Sequence, residues 1–243
     1  MSTIPVLGVI AQATLRALLS RRRTVLMGLL AVAPVLIALL YRVAGERTID
    51  DRAVLDLLIV RTVLPLTALV FGTTALGSEL DDGTGVALLT KPIPRWQIVL
   101  AKLLVAGLVS AVFAGASAVA TDLLLGAADS ATTSLAYLVG LTVGAFAYST
   151  AFVAVSVVTT RALVVGLAYT LLWEGWLAGI LPGTKILSLR EATLAVIDAV
   201  SPPFIPRDGL DPTSAVVLVG VVLVGGFLIG SARLAGYQVR GGD

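Results

Sequence analysis

Apolar residues in this chain run in long unbroken blocks, divided by short charged or proline-rich interruptions. Six blocks are long enough to cross about 30 Å of hydrocarbon, which takes roughly 20 helical residues at 1.5 Å each. They fall at about 24–41, 57–78, 98–121, 135–159, 162–181 and 213–235, the fourth and fifth separated only by Thr160 and Arg161. Their Val, Thr and Gly content would favour strands in water. In lipid, a run of this length satisfies its backbone only as a helix, because barrel strands are short and alternate. The pattern predicts an all-α polytopic membrane protein, a single transmembrane domain of six transmembrane helices over 1–243.

The first 23 residues carry a different pattern. Leu7, Ile10, Thr14, Leu15 and Leu18 share one helical face, while Gln12, Arg16 and Ser20 repeat every four residues on another. With Arg21, Arg22 and Arg23 closing it, this segment is expected to lie as an amphipathic interfacial helix on anionic lipid. An orientation signal without further role is the plainer alternative. The first span is expected to be an anchor, since its apolar run is longer than a signal-peptide core and no A-x-A site follows.

Composition agrees with the pattern: 58% of residues are hydrophobic and 13% charged, with a mean hydropathy of +1.01. Soluble domains are about 45–50% apolar and about 25% charged. Cysteine and histidine are absent, which excludes disulfides, thiolate or imidazole metal sites and Ser–His or Cys–His catalysis. Charge sets orientation. With the N-terminus in the cytoplasm, the inner cations are Arg16, Arg21, Arg22, Arg23, Lys91, Arg95, Lys102, Arg161, Arg233 and Arg240. The outer ones are Arg42, Arg47, Arg52, Arg61, Lys185, Arg190 and Arg207. Of the acids only Glu79, Asp81, Asp82 and Asp243 fall inside. Both termini are therefore expected in the cytoplasm.

The loop between the second and third spans is the most informative segment. An acidic group, Glu79, Asp81 and Asp82, meets the turn residues Gly83, Thr84 and Gly85. Apolar Val86, Leu88 and Leu89 follow, then Lys91-Pro92-Ile93-Pro94-Arg95-Trp96. Pro92 and Pro94 bar a regular helix there, while Asp and Thr can cap a short one over 84–90. A short apolar-faced helix rimmed by both charge signs suits docking into a protein groove. A solvated loop would explain the charges but not the apolar run. No G-x-x-x-x-G-K-[ST] sequence occurs, and none of the three lysines (Lys91, Lys102, Lys185) sits in a glycine-rich loop.

At this loop the chain resembles the membrane (permease) subunits of type-two ATP-binding-cassette (ABC) exporters. The resemblance lies in Glu79, Asp82-Gly83-Thr84, Val86–Leu89, Pro92, Arg95 and Lys102, with Pro94 where a serine is common. It extends to the layout: an inner-surface N-terminal helix, six spans, and a long outer segment before the last span that re-enters the outer leaflet. It implies a multi-pass permease in a prokaryotic plasma membrane, coupled through loop 79–97 to a separate ATPase in two copies. A second permease, identical or homologous, would complete the pathway. ATP and Mg would sit on the ATPase, with no cofactor on this chain, no catalytic residue of its own and no nucleic acid as partner. Alternative readings are an ion-gradient-driven secondary transporter, which needs charges near the bilayer centre and broken helices, and a non-transport membrane protein.

Intramembrane charge marks candidate sites. Glu174 lies in the fifth span with Tyr169, Trp173 and Trp176 at near-helical spacing, and Arg61 lies near the outer end of the second span. Either these residues line a pathway for a cationic or amphipathic substrate, or Glu174 pairs with Arg61 and the aromatics form an interface belt. Lys102 and Asp122, near the two ends of the third span, are expected to snorkel. Gly140/Gly144, Gly175/Gly179 and Gly226/Gly230 permit close helix contact. The outer segment 182–212 holds five prolines around a helix expected at 186–200, its apolar side marked by Leu189, Thr193, Val196, Ile197 and Val200.

Overall fold

The computed structural model describes residues 3–44, 51–81, 94–126, 130–177, 182–203 and 209–236, and among these it is helical with no strand. Helix α1 covers Thr3–Leu18 and α2 covers Arg21–Ala44. Helix α3 is continuous through Asp51–Leu55, a π-helical stretch Asp56–Val63, and Leu64–Asp81. Helix α4 is Arg95–Leu125 and α5 is Ser130–Val158. Helix α6 runs from Ala162–Ala168 into a second π-helical stretch, Tyr169–Leu177. A 3-10 turn, Pro182–Leu187, leads to α7, Leu189–Val200, and α8 is Pro212–Ala235.

Five described helices (α2, α3, α4, α5 and α8) are each long and apolar enough to cross a membrane. The expected fifth span, 162–181, is α6, described as far as Leu177, with 178–181 outside the described residues. Thr160 and Arg161 do form the turn between α5 and α6. Ahead of α4, Pro94 is extended (φ −58°, ψ 129°) and the helix begins at the next residue. Pro92, Gly83, Thr84, Val86, Leu88, Leu89, Lys91 and the short helix expected over 84–90 lie outside the described residues.

Hydrophobic burial gives helices in lipid little reason to associate, so packing and hydrogen bonds must hold the bundle. Helix α5 is its centre, packing on α3, α4, α7 and α8. Small residues let it do so. A Cβ at Gly140 would lie 2.3 Å from Ile197 Cγ1, and one at Gly144 would lie 2.5 Å from Thr193 Oγ1. The two glycines thus cut the notch in which α7 rests. Gly226 and Gly230 of α8 serve two different neighbours, Thr150 of α5 and Val99 of α4.

The core divides along the bundle axis. At the α7 end, Ile59, Leu64, Tyr137, Tyr148, Phe152 and Ile197 pack together. At the α1 end, Ile10 and Leu18 join Phe71, Leu76, Ile98, Val99 and Leu234. Helix α1 therefore lays Ile10, Thr14 and Leu18 against protein, on α4 and α3, rather than giving its whole apolar stripe to lipid. Leu15, Gln12 and Arg16 remain exposed.

Lys102 and Asp122 correct the snorkelling expectation, since both are 1% exposed. Lys102 Nζ donates to the Ala75 carbonyl at 2.5 Å, and Asp122 accepts from Ser134 Oγ at 2.5 Å. Burying charge of this kind is costly without hydrogen-bond partners, and neighbouring helices supply the Ala75 carbonyl and the Ser134 hydroxyl. Pro34 in α2 cannot donate to the carbonyl of Leu30. One residue along, Ser117 Oγ of α4 donates to the Ala31 carbonyl at 2.6 Å, tying the weakened stretch to the bundle.

Candidate functional site

Glu174 is only 3% exposed, on the second π-helical stretch. An isolated carboxylate there would be strongly destabilising. Four donors meet it instead. The Tyr148 hydroxyl donates to Oε2. The Tyr169 hydroxyl donates to Oε1 at 3.0 Å, and the backbone N–H groups of Leu189 and Arg190 donate to the same oxygen at 2.9 and 3.2 Å.

Those last two groups belong to the first turn of α7, where helix N–H groups lack internal partners and the helix dipole is positive. Ser188 adds the ordinary cap, its Oγ accepting from Glu191 N–H at 3.2 Å. The far end of α7 is held in the opposite sense. Arg52 of α3 donates from Nη1 to the Ser201 carbonyl and from Nη2 to Ser201 Oγ, both at 2.7 Å. Beside it, Tyr137 of α5 donates to Asp56 Oδ1 at 2.5 Å. An acid from α6 and a base from α3 therefore grip the two ends of one short helix, each matching its dipole, while α5 cradles its side.

Of the two readings of these charges, the Glu174–Arg61 pair is not formed. Arg61 Nη2 donates to the Gly175 carbonyl at 2.8 Å, one residue beyond Glu174. Glu174 turns its acceptors toward α5 and α7, where four donors converge, so Arg61 meets backbone and not carboxylate. Both residues line a cleft of about 430 Å³ between α3 and α6, together with Thr62, Leu66, Leu171, Leu172 and Trp176. Tyr169 joins the Glu174 cluster, Trp173 is half-buried, and Trp176 is 67% exposed. Of the aromatics, only Trp176 lines this cleft.

Glu79 and Asp81 fall within the last turns of α3, whose backbone is described to Asp81, and Arg95 opens α4. Asp82 and the remaining candidate coupling residues lie outside the described residues. Three participants escaped the sequence reading. Tyr148, Arg52 and Ser201 are far from Glu174 in sequence or carry no motif. The only available signal was a tyrosine at the centre of an apolar span, whose hydroxyl must find a partner.

A family profile described as ABC-2 family transporter protein matches residues 19–174, more than half of the chain. The chain belongs to the ABC-2 transporter family. No curated protein matches the sequence. As an ABC-2 permease it is a multi-pass membrane protein of the ABC-transporter kind. The matched region begins just after α1, takes in the loop after α3, and stops at Glu174. In this ABC-2 permease, the grip on α7 joins a matched residue, Glu174, to a helix beyond the match.

Proposed function

We propose that this chain is the permease subunit of an ATP-driven exporter, working with a second permease, identical or homologous, and two copies of a separate ATPase. The family match across residues 19–174, which takes in loop 79–97, carries this reading. The chain forms the translocation pathway and leaves ATP and Mg to the partner, since it has no P-loop of its own. The permease sits in a prokaryotic plasma membrane with both termini in the cytoplasm. It performs no covalent chemistry.

Loop 79–97 docks into the ATPase. Val86, Leu88 and Leu89 supply the apolar contact, worth a few kcal/mol at about 25 cal/mol per Å². Glu79, Asp81, Asp82, Lys91 and Arg95 flank it and set orientation more than affinity. Closure of the ATPases pushes this loop and switches the paired permeases between inward- and outward-facing states. Replacing Leu88 and Leu89 together by Ser releases the ATPase on co-purification and leaves the melting temperature of the permease unchanged. Gly83→Val does the same by obstructing the turn. Full co-purification with transport intact would remove the loop from the docking role.

A further inference from the structure

The cleft between α3 and α6 has charge of one sign to offer. Two charged residues line it, and they are not equivalent. Glu174 is 3% exposed and its carboxylate is engaged by four donors of the protein, Tyr169, Leu189 and Arg190 on Oε1 and Tyr148 on Oε2. Arg61 has five N–H donors. Among the described residues it makes one bond, from Nη2 to the Gly175 carbonyl, and the side chain is exposed. The threonine hydroxyls of the cleft donate into their own helices, Thr62 to the Leu57 carbonyl and Thr170 to the Gly166 carbonyl. What the cleft presents to a ligand is therefore an arginine.

The rest of its wall is apolar. Leu171 and Leu172 are each 59% exposed and Trp176 is 67% exposed, with Leu66 half-buried beneath them. Arg61 and Glu174 both stand on π-helical stretches, a rare backbone form found often at functional sites. An exposed arginine on an apolar span is unfavourable in hydrocarbon unless an anion or water meets it. Guanidinium pairs well with phosphate or carboxylate, through two parallel N–H donors.

We propose that this cleft binds an anionic amphiphile, its phosphate or carboxylate headgroup on Arg61 and its apolar tail along Leu66, Leu171 and Leu172. The site stands on the cleft's own geometry; the further step, that the amphiphile is cargo, rests on the permease reading. Glu174 is a positioning residue here, since its carboxylate is engaged by the protein. Substrate recognition by Glu174, which would favour a cation, is thereby replaced by recognition of an anion at Arg61.

The test uses the full chain in nanodiscs, with photo-crosslinkable diacyl probes that differ only in headgroup: phosphatidylglycerol and a trimethylammonium analogue. The expected result is capture on peptides from 56–63 or 162–177, with the anionic probe preferred by about tenfold, as for one charge-assisted contact. R61Q removes the preference and R61K keeps part of it. Melting of R61Q and R61K in detergent close to the parent shows that folding is not the cause. Equal capture of both probes, preference for the cationic one, or crosslinking of a second copy of this chain through Leu172 in place of lipid would overturn the site. Transfer of a fluorescent phosphatidylglycerol between leaflets, with the partner ATPase and ATP, separates the two sources. Transfer that fails in R61Q assigns the amphiphile as cargo. Capture without transfer makes it a resident lipid, sustaining the site while counting against the pathway.

Discussion

Glu174 shows how one residue changes meaning when its neighbours are known. In sequence it is an acid in an apolar span, open to a substrate or to Arg61. In the structure it is an acceptor for two tyrosines and two helix N–H groups. Glu174→Gln places an amide N–H₂ against one set of donors, and the expected cost in detergent melting is about 1–3 kcal/mol. Tyr148→Phe costs about 1 kcal/mol, near the measured range for hydrogen bonds inside membranes. Combined, the two lose less than their sum, because each removes the same bond. Arg61→Gln couples to Glu174→Gln more weakly than Tyr148→Phe does, because its acceptor is the Gly175 carbonyl, which Glu174→Gln leaves in place. Stronger coupling to Arg61 than to Tyr148 would restore the ion pair.

At the scale of elements, α7 is the informative piece. Its apolar side was legible from Leu189, Thr193 and Ile197, all of which are buried. Val196 is only half-buried and Val200 is 44% exposed. The helix also starts later than expected, at Leu189, because Ser188 caps it after a 3-10 turn. Which surface receives that side could not be read, since many glycine pairs are available in an apolar chain of 24 glycines. Gly140→Ala tests the receiving surface, since its Cβ would overlap Ile197 Cγ1 at 2.3 Å. The expected loss is about 1–3 kcal/mol from overpacking. Ile197→Ala deletes the offending atom, so the double variant should melt above the value that adding the two single losses predicts. Strict additivity would mean that α7 does not rest in this notch.

For the whole molecule, charge predicts an orientation, and the absence of cysteine makes it simple to measure. Single cysteines at Ser2 and Gly242 should stay unlabelled by a membrane-impermeant thiol reagent in intact cells, while cysteines at Asp50 and Asp208 should label. Labelled termini would invert the topology and place loop 79–97 on the outer face of the membrane. The sequence alone determined that the chain spans a membrane as helices, because apolar length and backbone hydrogen bonding in lipid leave no other solution. It also determined the turn at Thr160 and Arg161, which depends on neighbours along the chain. Tertiary structure alone decided the partners of the charges. Lys102, Asp122, Arg52 and Glu174 look alike as polar residues near span ends, yet each answers to a carbonyl, a hydroxyl or a helix terminus supplied by another helix. Those partners are set by which helix faces meet, and hydropathy carries no record of that, because in lipid both the buried and the exposed face of a span are apolar.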